Sequence, residues 1–313
     1  MIYTLTLNPA IDLFITTQDM QPNRVNRTQN YEVQANGKGV NVSIILQRLG
    51  TANTALGVGA GFTLDYISSF LTAHQIPNYF LKDQGITRIN VFTRVLNQGQ
   101  EYKLVNAGPI ISPAIQAQLM QRLKKLTAQD WLCVCGSFAQ GIQPAYLKKI
   151  GQLSQQQGFK LVVDTAYAEV LQILPYRPYL IKPNVEELAA WFHQPAPDNL
   201  TQIVTWGQSL VLQGAQNVLV SLGAQGAVLI TPQQILYGTA PAIHVLNTAG
   251  AGDTMLGTFV AGRNQGLTDE ANLVKAIAAG SDTAQKSWLT TFQQIEELQA
   301  QIKIQTLSAS RMS

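Results

Sequence analysis

The chain has 313 residues, 46% of them hydrophobic and only 12% charged, with a net charge of +3. That composition supports a large core and shows no basic stripe interleaved with aromatics, so nucleic acid is not an expected partner. No apolar run approaches membrane-spanning length, and residues 2–7 read as a strand rather than a signal peptide, so a cytoplasmic protein is expected. Residues 40–49 then carry helical spacing and stop at Gly50, a suitable left-handed cap. Residues 56–58 are extended and 64–74 helical. Ser112 and Pro113 open a helix whose apolar face is Ile115, Leu119, Leu123 and Leu126, with Arg122, Lys124 and Lys125 on a solvated face. Short β-rich runs at 131–135, 160–163, 179–181 and 218–221 alternate with helical segments. Cys133 and Cys135 alternate within the first of these and read as buried, inert thiols.

This alternation predicts an α/β fold: one domain over 1–313 with a doubly wound, mainly parallel sheet flanked by helices. Ligands should gather at the carboxyl ends of its strands. Two regions, roughly 11–34 and 87–106, break the pattern with extended, partly polar stretches and no helix between them. They predict a small antiparallel β lid over the strand ends. Its apolar residues Ile15, Val33, Val91, Val95 and Leu104 need a partner, which predicts a homodimer through the lid.

The most informative stretch is Asn247-Thr248-Ala249-Gly250-Ala251-Gly252-Asp253, read as a turn from a strand ending at 242–246 into a helix N-terminus. Amides around Ala251, Gly252 and Asp253 would form an anion cradle, with the Asp253 carboxylate at its rim. Donors for a moving charge plus a carboxylate to orient a hydroxyl are what phosphoryl transfer requires. A Gly-rich turn capped by an ordinary aspartate fits the local pattern as well. The P-loop pattern, the nucleophile elbow and any histidine ligand spacing are lacking, so those chemistries find no support.

Five separated motifs occur in one order: Leu7-Asn8-Pro9-Ala10-Ile11-Asp12, Asn36-Gly37-Lys38-Gly39-Val40-Asn41, Gly136-Ser137, Lys182-Pro183-Asn184-Val185-Glu186-Glu187, and 247–253. The order resembles the ribokinase-like carbohydrate kinases, the PfkB family, within it the 1-phosphofructokinases and tagatose-6-phosphate kinases. The resemblance implies ATP, Mg²⁺ and phosphoryl transfer to a sugar phosphate, with Asp253 as catalytic base and Gly250, Ala251 and Gly252 as its anion hole. The helix dipole would keep Asp253 ionised. Asn184 and Glu187 match the family's Asn-x-x-Glu pattern for Mg²⁺, held through water. On spacing alone, Glu187 reads equally as a solvated first-turn acid.

The resemblance further implies a nucleotide site at Lys182, Asn184, Ser221, Gly223 and Gly226, with Ala279 and Gly280 offering small residues for an adenine. Helix packing explains those last two as well. For the acceptor it implies Asp12, Gly37, Lys38, Asn41, Arg88, Asn90 and Ser137, with Arg27 a further basic candidate. Lys38 and Arg88 suit an acceptor that already carries phosphate, since an arginine fork grips two phosphate oxygens. Thr87-Arg88-Ile89-Asn90 resembles the 1-phosphofructokinase lid. Fructose 1-phosphate is therefore the favoured acceptor, tagatose 6-phosphate the second and fructose 6-phosphate the third. A catalytically weak protein that binds nucleotide or sugar phosphate is the alternative from another class. Three departures bear on these expectations. Asn36 stands where the family has glycine, Phe138-Ala139-Gln140 replaces Leu-Pro-Pro, and Asn247 replaces a common Asp, which leaves a monovalent cation open.

Overall fold

The computed structural model describes residues 1–308. In chain order the elements are β1 (Ile2–Thr6), β2 (Ala10–Thr17), β3 (Asn30–Asn36), α1 (Lys38–Arg48), β4 (Asn53–Ala60), α2 (Gly61–Ala73), β5 (Asn78–Asp83), β6 (Arg88–Val95), β7 (Gln100–Leu104) and α3 (Pro113–Leu123). There follow β8 (Trp131–Cys135), α4 (Tyr146–Gln157), β9 (Lys160–Asp164), β10 (Leu180–Ile181), α5 (Val185–Trp191), α6 (Leu200–Leu212), β11 (Val218–Ser221), β12 (Ala227–Ile230) and β13 (Ile235–Gly238). The chain closes with α7 (Ala251–Asn264), α8 (Asp269–Ala284), α9 (Ile295–Gln299) and β14 (Ile304–Leu307).

Ten strands form one sheet in the order β14-β13-β12-β11-β10-β9-β8-β1-β4-β5. From β11 to β5 every pairing is parallel, and β12–β14 extend the edge antiparallel. Alternation along the central strands divides the core. Leu132, Val134, Leu161 and Val163 pack toward α3–α6. Cys133, Cys135 and Val162 pack toward α1, α7 and α8. Both thiols are fully buried, and burial pushes Cys133 up to about 12, so they are core residues.

The helix ends follow local chemistry. Ser112 caps α3 by accepting from Ile115 N, with Pro113 in the first turn. Gly39 is required where α1 crosses β1, since a Cβ there would overlap the Thr6 hydroxyl. One expected element is not formed: 242–246 is irregular, with Val245 and Leu246 about half exposed and Leu246 N donating to Ala284 O of α8 at 2.8 Å. The strand before the α7 turn is β13 instead.

A second sheet has the order β3-β2-β6-β7 and uses both segments that break the alternation. Its outer pairs are antiparallel, while β2 and β6 meet in parallel with Asp12 opposite Asn90. Thr87 ties it to the main sheet, its hydroxyl accepting from Ala60 N at 2.8 Å. The register places Asp12, Phe14, Asn90 and Phe92 on one face, where the two phenyl rings stack at 4.9 Å. On the other face, Val95 is fully buried and does not belong to the unpaired apolar surface expected of it; Val33 and Leu104 are exposed.

Candidate active site

The carboxyl ends of β10 and β11 open into a cleft of about 440 Å³ beneath the smaller sheet. It is lined by Asp12, Asn36, Gly37, Lys38, Asn41, Arg88, Asn90, Lys182, Asn184, Glu187, Ser221, Gly250, Gly252 and Asp253, residues spread over more than 240 positions of sequence. A cavity of about 330 Å³ adjoins it, sharing Lys38, Arg88 and Glu187 and adding Asn8, Ser137 and Tyr167.

Asp253 lies in the first turn of α7, which Gly250 enters in the left-handed conformation at φ 79°. Its Oδ2 accepts from Asn41 Nδ2 at 2.8 Å. Burial dominates this carboxyl and raises it to about 6, with Lys38 opposing the shift. The helix terminus therefore does not hold this carboxyl in the ordinary carboxylate range. A base near 6 is mostly ionised at neutral pH yet basic enough to take a proton. Carbon-13 NMR of the free protein should find the Asp253 carboxyl titrating near 6, with turnover falling as pH drops through that value and the base protonates. Titration near 4 would contradict this environment. Ala251 is a further correction: its amide turns back to Thr248 O at 3.2 Å, so the amides left at the helix entrance belong to Gly252 and Asp253. A Cβ on Gly252 would stand 3.5 Å from Lys182 Nζ, which places a buried ammonium directly over that entrance.

Asp164, at the end of β9, organises the cations. It is fully buried, with Lys38 Nζ 2.9 Å from Oδ1 and Lys182 Nζ 3.3 Å from Oδ2. Burial alone would raise its carboxyl, but the two ammonium groups hold it below the usual carboxylate range. Lys38 is correspondingly raised: burial opposes its charge, and Asp164, Asp253 and Glu187 outweigh burial. Lys38 was expected at the acceptor's phosphate, yet its ammonium is drawn to Asp164 and lies 4.0 Å from Glu187 Oε1. Sequence reading missed Asp164 altogether; an acidic residue closing the apolar run Leu161-Val162-Val163 was the available signal.

Asn184 and Glu187 form a capping box on α5. Asn184 Oδ1 accepts from Glu187 N at 2.7 Å, and Glu187 Oε2 accepts from Asn184 N at 2.9 Å. Glu187 Oε1 is left facing Lys38 and the cleft. No cluster of three acidic, histidine or cysteine ligands occurs among the described residues. One free carboxylate oxygen suits Mg²⁺, which retains waters and takes its remaining ligands from substrate phosphates.

On the opposite wall, both Asp12 oxygens are held: Oδ1 by Asn90 Nδ2 at 2.7 Å and Oδ2 by Asn36 Nδ2 at 2.5 Å. Burial raises this carboxyl, against those two bonds and the nearby Arg88. Arg88 Nη2 donates to Asn8 O at 3.0 Å, while its Nε is buried and has no partner among the described residues. Ser137 accepts from Asn8 Nδ2 at 3.3 Å in the adjoining cavity. Arg27 lies on the exposed β2–β3 loop, away from the lining of the cleft.

Gly223, Gly226, Ala279 and Gly280 lie outside both the cleft and the adjoining cavity. Gly223 and Gly226 shape the β11–β12 hairpin, both with positive φ, and only Ser221 of that turn reaches the lining. Ala279 and Gly280 are buried in the α7–α8 seam, where a Cβ on Gly280 would press within 3.1 Å of Ala251 O. Helix packing accounts for them. The departures also resolve. Asn36 has no left-handed backbone; the positive φ of 132° belongs to Gly37. Phe138 and Ala139 turn into the core, Phe138 against Tyr167. Asn247 closes its own turn by accepting from Ala249 N at 3.0 Å.

A family model described as pfkB family carbohydrate kinase matches residues 5–295. The chain belongs to this family. It is 39% identical to a D-tagatose-1-phosphate kinase from Bacillus licheniformis, over 97% of this chain and 99% of that one. It is 35% identical to a 1-phosphofructokinase from Borreliella burgdorferi, over 99% and 100% respectively. Phosphofructokinase-2 from Escherichia coli, solved with substrates and products, superposes with a TM-score of 0.88 at 26% identity over 96% of this chain and 98% of that one. The protein is accordingly a carbohydrate kinase, a phosphotransferase with an alcohol acceptor. The tagatose kinases among these relatives are named for the 1-phosphate, whereas the alternative expected from sequence was the 6-phosphate.

Proposed function

We propose that this kinase transfers the γ-phosphoryl group of ATP to the 6-hydroxyl of a ketohexose 1-phosphate, with fructose 1-phosphate as the principal acceptor. The observation that carries the reading is the division of the cleft. Asp253, the α7 entrance and Lys182 stand on one wall, and Asp12, Asn90 and Arg88 stand on the other. Asp253 takes the acceptor proton, and the Gly252 and Asp253 amides with Lys182 meet the charge that spreads over the transferring group. Lys38 completes that positive field from its seat on Asp164. Glu187, through water, and the adjacent Asn184 would hold Mg²⁺, which neutralises nucleotide phosphate charge when bound. The potassium complex of the Escherichia coli relative supports including a monovalent cation in assays. Tagatose 1-phosphate is the second reading, favoured by the 39% identical relative. Phosphorus-31 NMR of the product from fructose 1-phosphate tests the proposal: a second phosphoryl group on O6 supports it, and absence of bisphosphate counts against it.

Arg88 reads the phosphate already present on the acceptor, since its guanidinium lines both the cleft and the adjoining cavity. Arg88→Ala is expected to cost about 1.5–3 kcal/mol in kcat/KM, mostly as a raised KM for fructose 1-phosphate. Activity on unphosphorylated fructose should barely change. Equal losses on both substrates would show that Arg88 only supports the lid.

The exposed face of the smaller sheet, with Tyr31, Val33 and Leu104, is the surface through which two copies pair. Light scattering should report a dimer at micromolar concentration, and a fully active monomer would contradict this. No helix among the described residues is long and apolar enough to cross a membrane. We place the kinase in the cytoplasm, where ATP and sugar phosphates are found.

A further inference from the structure

We propose that Asn36 is the residue that reads the configuration at C4 of the acceptor, and so decides between fructose and tagatose 1-phosphates. This rests on the ketohexose 1-phosphate reading above. Asn36 ends β3 opposite Ala10, in a backbone conformation open to any residue, so its side chain rather than its backbone calls for explanation. That side chain is half-buried and lines the cleft between the two carboxylates.

Its orientation is set by its neighbours. Nδ2 donates to Asp12 Oδ2, which can only accept, and Oδ1 accepts from Gly37 N at 2.6 Å and from Asn41 Nδ2 at 3.0 Å. Asn41 spends its other amide hydrogen on Asp253. A continuous hydrogen-bonded chain therefore runs Asn90–Asp12–Asn36–Asn41–Asp253. Both lone pairs of Asn36 Oδ1 are occupied, but Nδ2 retains one N–H, and each Asp12 oxygen retains accepting capacity.

Where Asn36 bridges the two walls, it thus offers a donor beside the Asp12 acceptor. A secondary hydroxyl fits such a pair by accepting from Asn36 and donating to Asp12. With O6 at Asp253, the hydroxyl that comes first along the sugar toward Asp12 is the one on C4. Fructose and tagatose differ only there. An inverted hydroxyl leaves the amide hydrogen and a carboxylate lone pair unmatched, and unmatched buried polar groups discriminate more strongly than lost apolar contact.

The test compares kcat/KM for fructose 1-phosphate and tagatose 1-phosphate in wild type, Asn36→Ala and Asn36→Gly, each with ATP and Mg²⁺. Wild type should prefer one epimer by about tenfold or more, and both variants should bring the ratio close to unity, with the loss falling on the preferred epimer. The KM for ATP provides the internal control and should stay within about twofold. If Asn36 merely braces Asp12, both epimers lose equally and the ratio stays put, which overturns the inference and leaves the kinase reading intact. A wild type that turns over neither epimer overturns both. Two variants are used so that poor folding of one still leaves a ratio to measure.

Discussion

Replacing Asp253 with asparagine is expected to cut turnover by about 10²- to 10⁴-fold while nucleotide affinity changes little. Asparagine fills the same space and can keep a hydrogen bond within the buried site, so the fold of α7 should survive. What disappears is the proton acceptor at the helix entrance, in a cleft whose burial has already raised the carboxyl to about 6. Steady-state turnover with saturating acceptor, alongside nucleotide binding by calorimetry, separates the two effects. A variant that keeps more than about a tenth of the wild-type rate would show that orientation by Asn41 and the backbone suffices without a base.

The second large effect concerns Asp164. Removing it by Asp164→Ala leaves Lys182, only 3% exposed, without the carboxylate that neutralises it, and leaves Lys38 with Asp253 and with Glu187 at 4.0 Å. Breaking a buried ion pair from one side typically costs about 3–5 kcal/mol, because the surviving charge is stranded away from water. Denaturant unfolding without nucleotide should show a loss in that range, and turnover should fall with it as both ammonium groups lose their seat. A change below about 1 kcal/mol would mean that water reaches Lys182 and that Asp164 does not organise the site.

The contrast between Asp253 and Asp164 shows what the chain discloses on its own. The α/β alternation was legible from strands such as Trp131–Cys135, because apolar periodicity records burial directly. Most of the cleft was legible from motif order, and Asp12, Asn41, Lys182, Glu187 and Asp253 do converge. The Lys38–Asp164 pair was not legible, since 126 residues separate its members and no local spacing reports such a contact. Ala279 and Gly280 were ambiguous for a related reason: small residues serve close helix packing and flat ligands equally well, and only the neighbouring Ala251 carbonyl decides. The strand expected at 242–246 is not formed; its end bonds to α8 instead, through Leu246 N and Ala284 O, a long-range contact that local apolar pattern does not report. The raised Asp253 carboxyl was not legible from its helix-terminal position, since burial outweighs a favourable helix terminus.

The most direct measurement is a coupled ADP-release assay of the purified protein with ATP, Mg²⁺ and a panel of ketohexose phosphates. The account predicts steady turnover, with the highest kcat/KM on a ketohexose 1-phosphate and far lower values on the 6-phosphates and on free sugars. Higher kcat/KM on fructose 6-phosphate, or binding of nucleotide with no turnover on any member of the panel, would contradict it.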